Sequence, residues 1–395
     1  MSKKVVFLLD SAFNKRDYVR FGFDIIEARG YIVEAWDFSP VLRPASYQSY
    51  VPPDTVDFGG HKLFTQRQHV VDAISDLSTE DMVVCLGWPE GSSSFIFELL
   101  EEKNIPYGFC LLGLLPRAST HRQISELLHR LQSNPAVFLV KMCSRLWQAV
   151  ATLAVRSRHA ASPRFMITGG AAAINDRRCS ALDPLNVIKA HALDYDRYLE
   201  EEAIDRINED ATAGGYALFL DDDIPYHPDY LIFDVRPYCA ADKYYVELNK
   251  FFDSFEQTTG LPIIIAAHPR ADYEKRGNPY GNRKLVCGKT ISYTKHAKLI
   301  LAHVSTSLNF AILYKKPVLF LDSLKYTMAL RLWIRDTATA LDQKPFIVSD
   351  TPSFRLQELT VNEELYERYK HFYIKESGTP NKMCWDIFCD YKDNW

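Results

Sequence analysis

The feature that most constrains the fold is a short apolar segment that stops abruptly near the middle of the second half of the chain. It runs without interruption from Leu261 to Ala267 and ends at His268 and Pro269. An uninterrupted apolar run of this length is typical of a strand that is covered on both faces, and the polar residue and the proline indicate a loop at its end. The segment therefore predicts a parallel sheet in an α/β protein.

A second segment, residues 298–322, supports the same class of fold. It contains an apolar strand, a hydroxyl-rich turn at Ser305-Thr306-Ser307, a short apolar helix and another strand. Pro317 ends the helix because proline cannot continue the hydrogen-bond ladder. The pattern predicts a βαβ crossover, and the free amides and hydroxyls at the start of its helix form a candidate anion site.

Alternation of strands and helices along all 395 residues predicts two such domains, because single hydrophobic cores stop growing at roughly 250–300 residues. We expect an N-terminal domain over residues 1–190 and a C-terminal domain over residues 191–395 that ends in a helical, aromatic tail. The first strand, Lys4 to Leu9, and the helix from Tyr18 to Arg29 lack a Gly-x-Gly-x-x-Gly turn. This absence argues against a dinucleotide at that position.

Charge is distributed unevenly although the net charge is only −4. Residues 117–164 contain eight Lys or Arg and one acidic residue, Glu126. Such a stretch fits an anionic partner, a membrane surface or simply a solvated helix face. A pI near 6.3 and the lack of a known nucleic-acid module argue against DNA or RNA.

The cellular setting follows from what the sequence lacks. The eight cysteines are scattered, with no Cys-x-x-Cys pair and no histidine at zinc spacing, which fits a reducing compartment and predicts no metal site. No signal peptide is visible, and no apolar run approaches the ~20 residues needed to span a bilayer. We expect a cytoplasmic protein that contacts the inner membrane, if at all, from its surface.

The two motifs carry a resemblance to a known group of enzymes. His268-Pro269, followed by Ser305-Thr306-Ser307 and then Lys316-Pro317-Val318, resembles the His-Pro and Ser-Ser/Thr motifs of bacterial glycosyltransferases that use CMP-activated sugars. Sialyltransferases, polysialyltransferases and Kdo transferases belong to this group. The resemblance implies a GT-B fold, in which two Rossmann-like domains surround a central cleft. It also implies that the C-terminal domain holds the nucleotide sugar and the N-terminal domain the acceptor.

The resemblance also implies roles for the motif residues. His268 would donate a proton or a hydrogen bond to the leaving phosphate, because an unperturbed pKa of ~6.5 lets an imidazole act near neutrality. Ser305, Thr306 and Ser307 would bind the phosphate oxygens, and Pro269 belongs to the same donor-binding set. Because CMP-sugars carry a single phosphate, no cofactor or metal is expected. The alternatives are a structural strand-end histidine and plain helix capping by the hydroxyls.

The base that activates the acceptor would be a carboxylate. The nearest match to the acidic motif of the sialyltransferases is Asp221-Asp222-Asp223, where no glycine follows. Three adjacent carboxylates repel each other, so at least one should have a raised pKa or meet a cation. Asp10 and Glu90, at strand ends of the first domain, are rival bases, and a solvated acidic loop is the structural alternative.

Further residues fall at positions where a donor could be contacted. Arg270 could bind a sugar carboxylate bidentately or cap its loop. Asn309 falls where related transferases carry a glutamate that binds a ribose. Thr290 and Tyr293 could line a cytosine pocket or cap a helix, and His303 is expected to be a satisfied core histidine.

These observations predict a glycosyltransferase that moves a nonulosonic acid or Kdo from a CMP-sugar to a surface-glycan acceptor, which residues 117–164 could hold if it is lipid-linked. Two alternatives remain open. One is a polyol-phosphate transferase of teichoic-acid type that uses a CDP-alcohol. The other is a nucleotide-sugar-binding protein without catalytic activity.

Overall fold

The computed structural model describes residues 3–52, 54–87, 92–117, 131, 163–176, 186–204, 215–349 and 360–393. Within them the chain forms two parallel sheets, each with helices packed against it. The central strands of both sheets are buried along most of their length, which explains their continuous apolar sequences. Glu90 and nearly all of the basic stretch 117–164 lie outside the described residues.

The first sheet has the strand order β3-β2-β1-β4-β5-β6-β7, and all its described pairs are parallel. Because β1 is flanked by β2 and β4, the order reverses at β1, which is where open parallel sheets usually bind ligands. The strands are β1 (Lys4–Leu9), β2 (Ile32–Asp37), β3 (His61–Leu63), β4 (Met82–Cys85), β5 (Tyr107–Leu111), β6 (Phe165–Gly169) and β7 (Asn186–Ala190).

The helix predicted from Tyr18 to Arg29 is in fact two helices. They are α1 (Lys15–Arg20) and α2 (Phe23–Ala28), separated at Gly22. Gly22 has a φ of +54°, and a Cβ on it would lie 2.5 Å from the indole of Trp385. Both facts require glycine, and a regular helix cannot pass through a left-handed residue. The other described helices of this half are α3 (Ser39–Leu42), α4 (Pro44–Ser49), α5 (Arg67–Ser75) and α6 (Ser94–Glu102).

The second sheet has the order β10-β9-β8-β11-β12-β13 and is also parallel. Here the order reverses at β8, which lies between the strand that precedes His268 and the strand that precedes Ser305. The strands are β8 (Ala217–Leu220), β9 (Ile263–Ala266), β10 (Leu285–Val286), β11 (Leu299–Ala302), β12 (Val318–Asp322) and β13 (Phe346–Ile347).

Helices of the second half complete the predicted crossovers. The βαβ unit predicted over residues 298–322 is present as β11, a six-residue helix and β12. The described helices are α7 (Leu193–Ala203), α8 (Asp229–Phe233), α9 (Ala241–Thr259), α10 (Tyr273–Arg276), α11 (Thr290–His296), α12 (Leu308–Leu313), α13 (Met328–Thr339), α14 (Glu363–Tyr369) and α15 (Cys384–Asp393). No helix in the described part of the chain is both long and apolar enough to cross a bilayer.

The aromatic tail differs from the prediction that placed it in the C-terminal domain. The chain passes to the second domain at His191 and returns beside it, since the amide of Ala192 donates to the carbonyl of Ile374 at 2.7 Å. Helix α15 then packs on the first sheet, where Trp385 is completely buried with its ring centroid 5.1 Å from that of Phe7. The buried indole stabilises the first domain with a residue from the far end of the sequence.

Candidate functional site

Three strands of the second sheet end side by side and carry the predicted site residues. Strand β8 pairs with β9 on one side and with β11 on the other. Neighbouring strands lie about 4.8 Å apart, so the His268 loop and the Ser305-Thr306-Ser307 turn are separated by roughly 10 Å across the end of β8. The structure therefore places both motifs at one carboxyl edge, with Asp221-Asp222-Asp223 between them.

Asp221 is fixed in place by four hydrogen bonds. Its carboxylate accepts from the hydroxyls of Tyr273 at 2.6 Å and Tyr280 at 2.7 Å. It also accepts from the amides of Asp223 and His268. Burial raises its pKa, and these hydrogen bonds oppose the rise. The predicted catalytic role does not fit this side chain, because both oxygens are used to hold the loops; Asp221 orients the backbone of His268.

Asp223 is also directed inward. It is 1% exposed and pairs with Arg276 at 2.6 Å. Burial raises its pKa to about 6, although Arg276 favours the charged form. This confirms the prediction that a member of the trio would have a raised pKa or meet a cation. Asp223 is not accessible as a base, because the Arg276 guanidinium covers its carboxylate.

Asp222 remains the one member of the trio that is partly exposed. Its carboxylate accepts from the amide of Val304 at 3.2 Å and from the hydroxyl of Ser305. Burial of the carboxyl group raises its pKa to about 7, so it is partly protonated near neutrality. Asp222 thus ties β8 to the hydroxyl-rich turn and stays a candidate base.

The hydroxyl groups of the Ser305-Thr306-Ser307 turn do not cap the helix that follows it. Ser307 takes the N-cap position without a side-chain hydrogen bond to the helix. Its amide donates to Ser305 Oγ at 3.3 Å. Within the described residues we find no side-chain hydrogen bond from Thr306 or Ser307. These two partly exposed hydroxyls are therefore available to a ligand, whereas simple helix capping does not account for them.

The surroundings of His268 favour its neutral form. Burial lowers its pKa well below the usual value, and the nearby His227, Arg270 and Arg16 lower it further. Its Nδ1 faces the amide of Arg270 at 3.3 Å, which favours the tautomer with the proton on Nε2. The sequence argument assumed an ordinary pKa. The structure instead favours a neutral His268 whose Nε2–H is free to donate a hydrogen bond.

Arg270 lies on the cleft side of the same loop. Its guanidinium donates to Asp229 at 2.9 Å and approaches Nε2 of His227 at 3.4 Å. Its Nε is buried and has no partner among the described residues. Arg270 is therefore partly used for its own loop, as one alternative predicted, and it keeps one buried donor for a ligand.

The remaining predicted residues lie in three different settings. Pro269 is exposed at the edge of the cleft, and Thr290 begins α11 after β10 at the same carboxyl edge. Asn309 is completely buried, and its amide donates to Asp194 at 2.9 Å, so it does not reach an open ribose pocket. Tyr293 is 1% exposed and lies in the core rather than in a pocket.

His303 is a satisfied core histidine, as predicted. It is fully buried, with Nδ1 2.7 Å from the carbonyl of Leu321 and Nε2 3.3 Å from the hydroxyl of Tyr244. Burial lowers its pKa to about 4. Both ring nitrogens are engaged, so His303 supports β11 and β12 and takes no part in binding.

In the first domain, Asp10 follows β1 at the point where the strand order reverses. Its carboxylate pairs with Arg43 at 2.7 Å, and the two side chains are 30% and 23% exposed. Gly87 follows β4 next to it, where a Cβ would approach Asp10 to 3.2 Å. Asp10 is therefore an accessible carboxylate at the edge of the first sheet. The other rival base, Glu90, lies outside the described residues.

Sequence reasoning missed three residues of the cleft. Arg16 and Arg20 on α1 of the first domain, and His227 after β8, have no motif that signals them. Burial lowers the pKa of Arg16 to about 10, and Arg20 and Arg270 lower it further. Arg16 in turn lowers the pKa of His227 and His268 in the other domain. Guanidinium groups from both domains, Arg16 and Arg270, therefore lie close enough to His268 to act on it, and Arg20 lies beside Arg16.

Two carboxyl groups accompany this cluster of arginines. Asp17 is buried and hydrogen-bonded to Asn14 at 2.8 Å, and Asp194 is bonded to Asn309. Burial raises the pKa of both, which reduces their ability to balance the arginines. Within the described residues no group of three or more His, Cys, Asp or Glu side chains is suited to a metal ion.

Comparisons with known proteins show the fold. No family model matches the chain, and no curated protein matches it. A structure described as UDP-N-acetylglucosamine 2-epimerase from Listeria monocytogenes has a TM-score of 0.52 at 10% identity, covering 100% of this chain and 97% of its own. The S. aureus MnaA structure with UDP has a TM-score of 0.52 at 12% identity, covering 99% and 97%.

The wall teichoic acid polymerase TagF is a third neighbour, with a TM-score of 0.50 at 12% identity, covering 99% of this chain and 90% of its own. These likenesses extend over both sheets and the cleft between them. The chain has a GT-B fold. At such low identity the neighbours show the architecture that the resemblance implied, and they do not decide the donor.

Proposed function

We propose that the protein is a glycosyltransferase that binds an anionic nucleotide-activated sugar in the cleft, with a CMP-activated nonulosonic acid or Kdo as donor and a surface glycan as acceptor. The observation that carries the proposal is that Arg16 of the first domain and Arg270 of the second lie beside His268, and that Arg270 keeps a buried Nε without a partner among the described residues. Buried cations that depress one another's pKa are stabilised when an anion binds among them.

The charge of the donor fits this cluster. A CMP-nonulosonic acid or CMP-Kdo carries one phosphate and one sugar carboxylate, and thus two negative charges. Arginine binds both groups through paired N–H donors, and Arg270 keeps a buried Nε without a partner. Arg16 comes from the first domain, so binding of the donor would also draw the two domains together.

The chemistry requires stabilisation of the departing phosphate. His268 would donate its Nε2 proton in a hydrogen bond to a phosphate oxygen, and the phosphate charge would raise the imidazole pKa towards full protonation. Thr306 and Ser307 offer hydroxyl donors from the end of β11, which lies on the other side of β8 from the end of β9. Asp221 and Asp222 hold the His268 loop and the Ser305-Thr306-Ser307 turn in place. Their carboxylates would therefore position the groups that donate to the phosphate, without contacting the phosphate themselves.

A second candidate is transfer of a polyol phosphate from a CDP-alcohol. Two observations favour it: the arginines from both domains also suit a diphosphate, and TagF shares the fold over 99% of this chain. A nucleotide-sugar-binding protein without catalysis would use the same cluster. Contact of residues 117–164 with a membrane or a lipid-linked acceptor is a separate prediction, because nearly all of them lie outside the described residues.

Nucleotide binding provides the first test. We expect CMP to raise the melting temperature more than UDP or GDP, because a ligand that binds only the native state stabilises it by mass action. CMP release from CMP-sialic acid or CMP-Kdo supports the first candidate, and glycerol-phosphate transfer from CDP-glycerol supports the second. Stabilisation without turnover of any donor indicates the binding protein, and no stabilisation by any nucleotide overturns the proposal.

Substitution of the imidazole tests the site itself. His268→Asn should lower turnover about 100-fold or more while leaving the melting temperature nearly unchanged. His296→Asn is a matched control, because His296 ends α11 at the opposite end of the sheet from His268. Equal turnover of both variants would exclude His268 from the chemistry.

A further inference from the structure

Two carboxyl groups lie beside the arginines of α1, and each is hydrogen-bonded to an asparagine. Asp17 accepts from Nδ2 of Asn14 at 2.8 Å, and its own backbone amide donates to Oδ1 of Asn14 at 3.0 Å. The side-chain amide of Asn14 therefore has a partner on both sides, and it also caps α1. This pair is complete with Asp17 in its ionised form.

The pair of Asp194 and Asn309 is incomplete. Asp194, in the first turn of α7, accepts from Nδ2 of Asn309 at 2.9 Å. Asn309 is fully buried, and its Oδ1 has no donor among the described residues. Buried acceptors without a donor are unfavourable, and folded proteins contain few of them. The two asparagines thus differ in one missing hydrogen bond.

A single proton on Asp194 completes the second pair. An ionised carboxylate can only accept hydrogen bonds, whereas a protonated carboxyl group also donates one through its O–H. A carboxylic acid and an amide that already share one N–H···O bond can close a ring with an O–H···O bond in the opposite direction. Protonated Asp194 therefore supplies the donor that Oδ1 of Asn309 lacks.

The surroundings of Asp194 balance its two forms. Burial raises its pKa, whereas Arg20, the hydrogen bond from Asn309 and Arg16 favour the charged form. The balance depends on how much positive charge the arginines leave for this carboxyl group. An anion bound beside Arg16 offsets part of that charge, which shifts Asp194 towards its protonated form.

Other titratable groups also lie near Asp194. Burial holds the pKa of Tyr369 in α14 well above its ordinary value, so this phenol stays neutral. Burial raises the pKa of Asp196, on the same helix, to about 7, so this group titrates in the same range. Helix α11 also packs on α7, and its Lys295 pairs with Glu202 near the end of α7. A test must therefore compare variants that keep these groups.

Asn309 connects this pair to the hydroxyl-rich turn, because its backbone amide donates to the carbonyl of Thr306 at 3.0 Å. We propose that Asp194 is a positioning residue of the donor site: when an anion binds beside Arg16, Asp194 takes up a proton from solvent and donates to Oδ1 of Asn309. The new bond fixes the turn that presents Thr306 and Ser307. The inference rests on the proposed function for the identity of the anion.

Urea unfolding at pH 4.5 and pH 8 tests the pair without a ligand. Asp194→Asn mimics the protonated form, because its amide can donate to Oδ1 of Asn309, whereas Asp194→Ala removes both hydrogen bonds. At pH 4.5 the wild type and Asp194→Asn should be equally stable, and Asp194→Ala should have an unfolding equilibrium constant about 10-fold larger. At pH 8 the wild type should be less stable than Asp194→Asn, because a raised pKa stabilises the fold only while the group is protonated.

A pH-independent difference between the wild type and Asp194→Asn overturns the inference, and so does equal stability of the Asn and Ala variants. If Asp194→Ala does not fold, the comparison of the wild type with Asp194→Asn decides alone.

Titration calorimetry with sulfate tests proton uptake, since sulfate stays fully ionised between pH 5 and pH 8. His268→Asn is the parent protein, so that His268 cannot take up the proton. Measurements in buffers of different ionisation enthalpy give the number of protons bound with each sulfate. Adding Asp194→Asn should lower that number, whereas adding Asp17→Asn, the matched control beside the same arginines, should not. Equal numbers in the two double variants overturn the inference.

The readouts separate the two proposals. If no sulfate heat depends on Arg16, as measured with Arg16→Gln, both the anion site and its coupling to Asp194 are refuted, while the unfolding profiles still report on the pair with Asn309. Stabilisation by a nucleotide in the wild type, together with proton uptake that Asp194→Asn leaves unchanged, refutes this inference alone.

Discussion

The carboxyl edges of the two sheets carry acidic residues that are used in opposite ways. At the second sheet, Asp221 and Asp223 are buried and saturated by tyrosines, amides and Arg276. At the first sheet, Asp10 is partly exposed beside a cavity and has one arginine partner. Carboxylates after a strand can therefore serve as a scaffold that holds loops together, whereas the Asp10 carboxylate stays accessible to solvent.

Asp221→Ala should have the largest effect. It leaves two phenol hydroxyls and two amides without an acceptor in a buried place, which should cost about 3–5 kcal/mol of unfolding free energy. Urea denaturation followed by circular dichroism measures the change. Tyr273→Phe removes a single donor and should cost only about 1 kcal/mol. A loss below about 1 kcal/mol for Asp221→Ala would show that the four hydrogen bonds to Asp221 do not hold the loops at this edge together.

Arg276→Leu should come next, because it leaves the Asp223 carboxylate buried and unpaired. We expect a loss of roughly 3 kcal/mol at pH 8. The loss should shrink at pH 5, because Asp223, whose pKa is already about 6 beside Arg276, then becomes protonated. Adding Asp223→Asn should restore most of the stability at pH 8. Failure of the double variant to recover would mean that Arg276 acts through packing on its aromatic neighbours.

The raised pKa of Asp222 predicts that the free energy of unfolding depends on pH. Its pKa is raised from 3.8 to about 7 in the folded state, so its protonated form stabilises the fold below pH 4, and this contribution is lost as the pH rises through 7. A shift of this size corresponds to ~4 kcal/mol, and partial exposure reduces it to ~2 kcal/mol. Asp222→Asn should flatten the decline of unfolding free energy between pH 4 and 7. Parallel pH profiles of unfolding free energy for the wild-type protein and Asp222→Asn would contradict this prediction.

Asp10→Asn should have the smallest effect on stability, below about 1 kcal/mol, because partly exposed ion pairs contribute little. Its effect on transfer should be large, about 100-fold or more, if Asp10 rather than Asp222 takes the acceptor proton. Nucleotide-induced stabilisation is the control and should stay unchanged. Retained transfer in Asp10→Asn together with lost transfer in Asp222→Asn would assign the base to the second sheet.

The placement of the donor motifs could be predicted because it depends on local pattern alone. Apolar runs before His268 and Ser305 specify buried parallel strands, and the carboxyl ends of such strands meet at one edge. Local pattern does not orient Asn309, which the resemblance placed at a ribose contact. Its orientation is decided by Asp194, which lies 115 residues earlier and reaches it only in the folded chain.

The local order of apolar and polar residues was enough to predict the α/β class and the strand ends that carry His268 and Ser305. Tertiary structure alone decided three matters: the inward turn of Asp221 towards Tyr273 and Tyr280, the convergence of arginines from two domains, and the return of Trp385 to the first sheet. Each joins residues far apart in the chain, and burial and electrostatics act on distance in space rather than on separation in sequence.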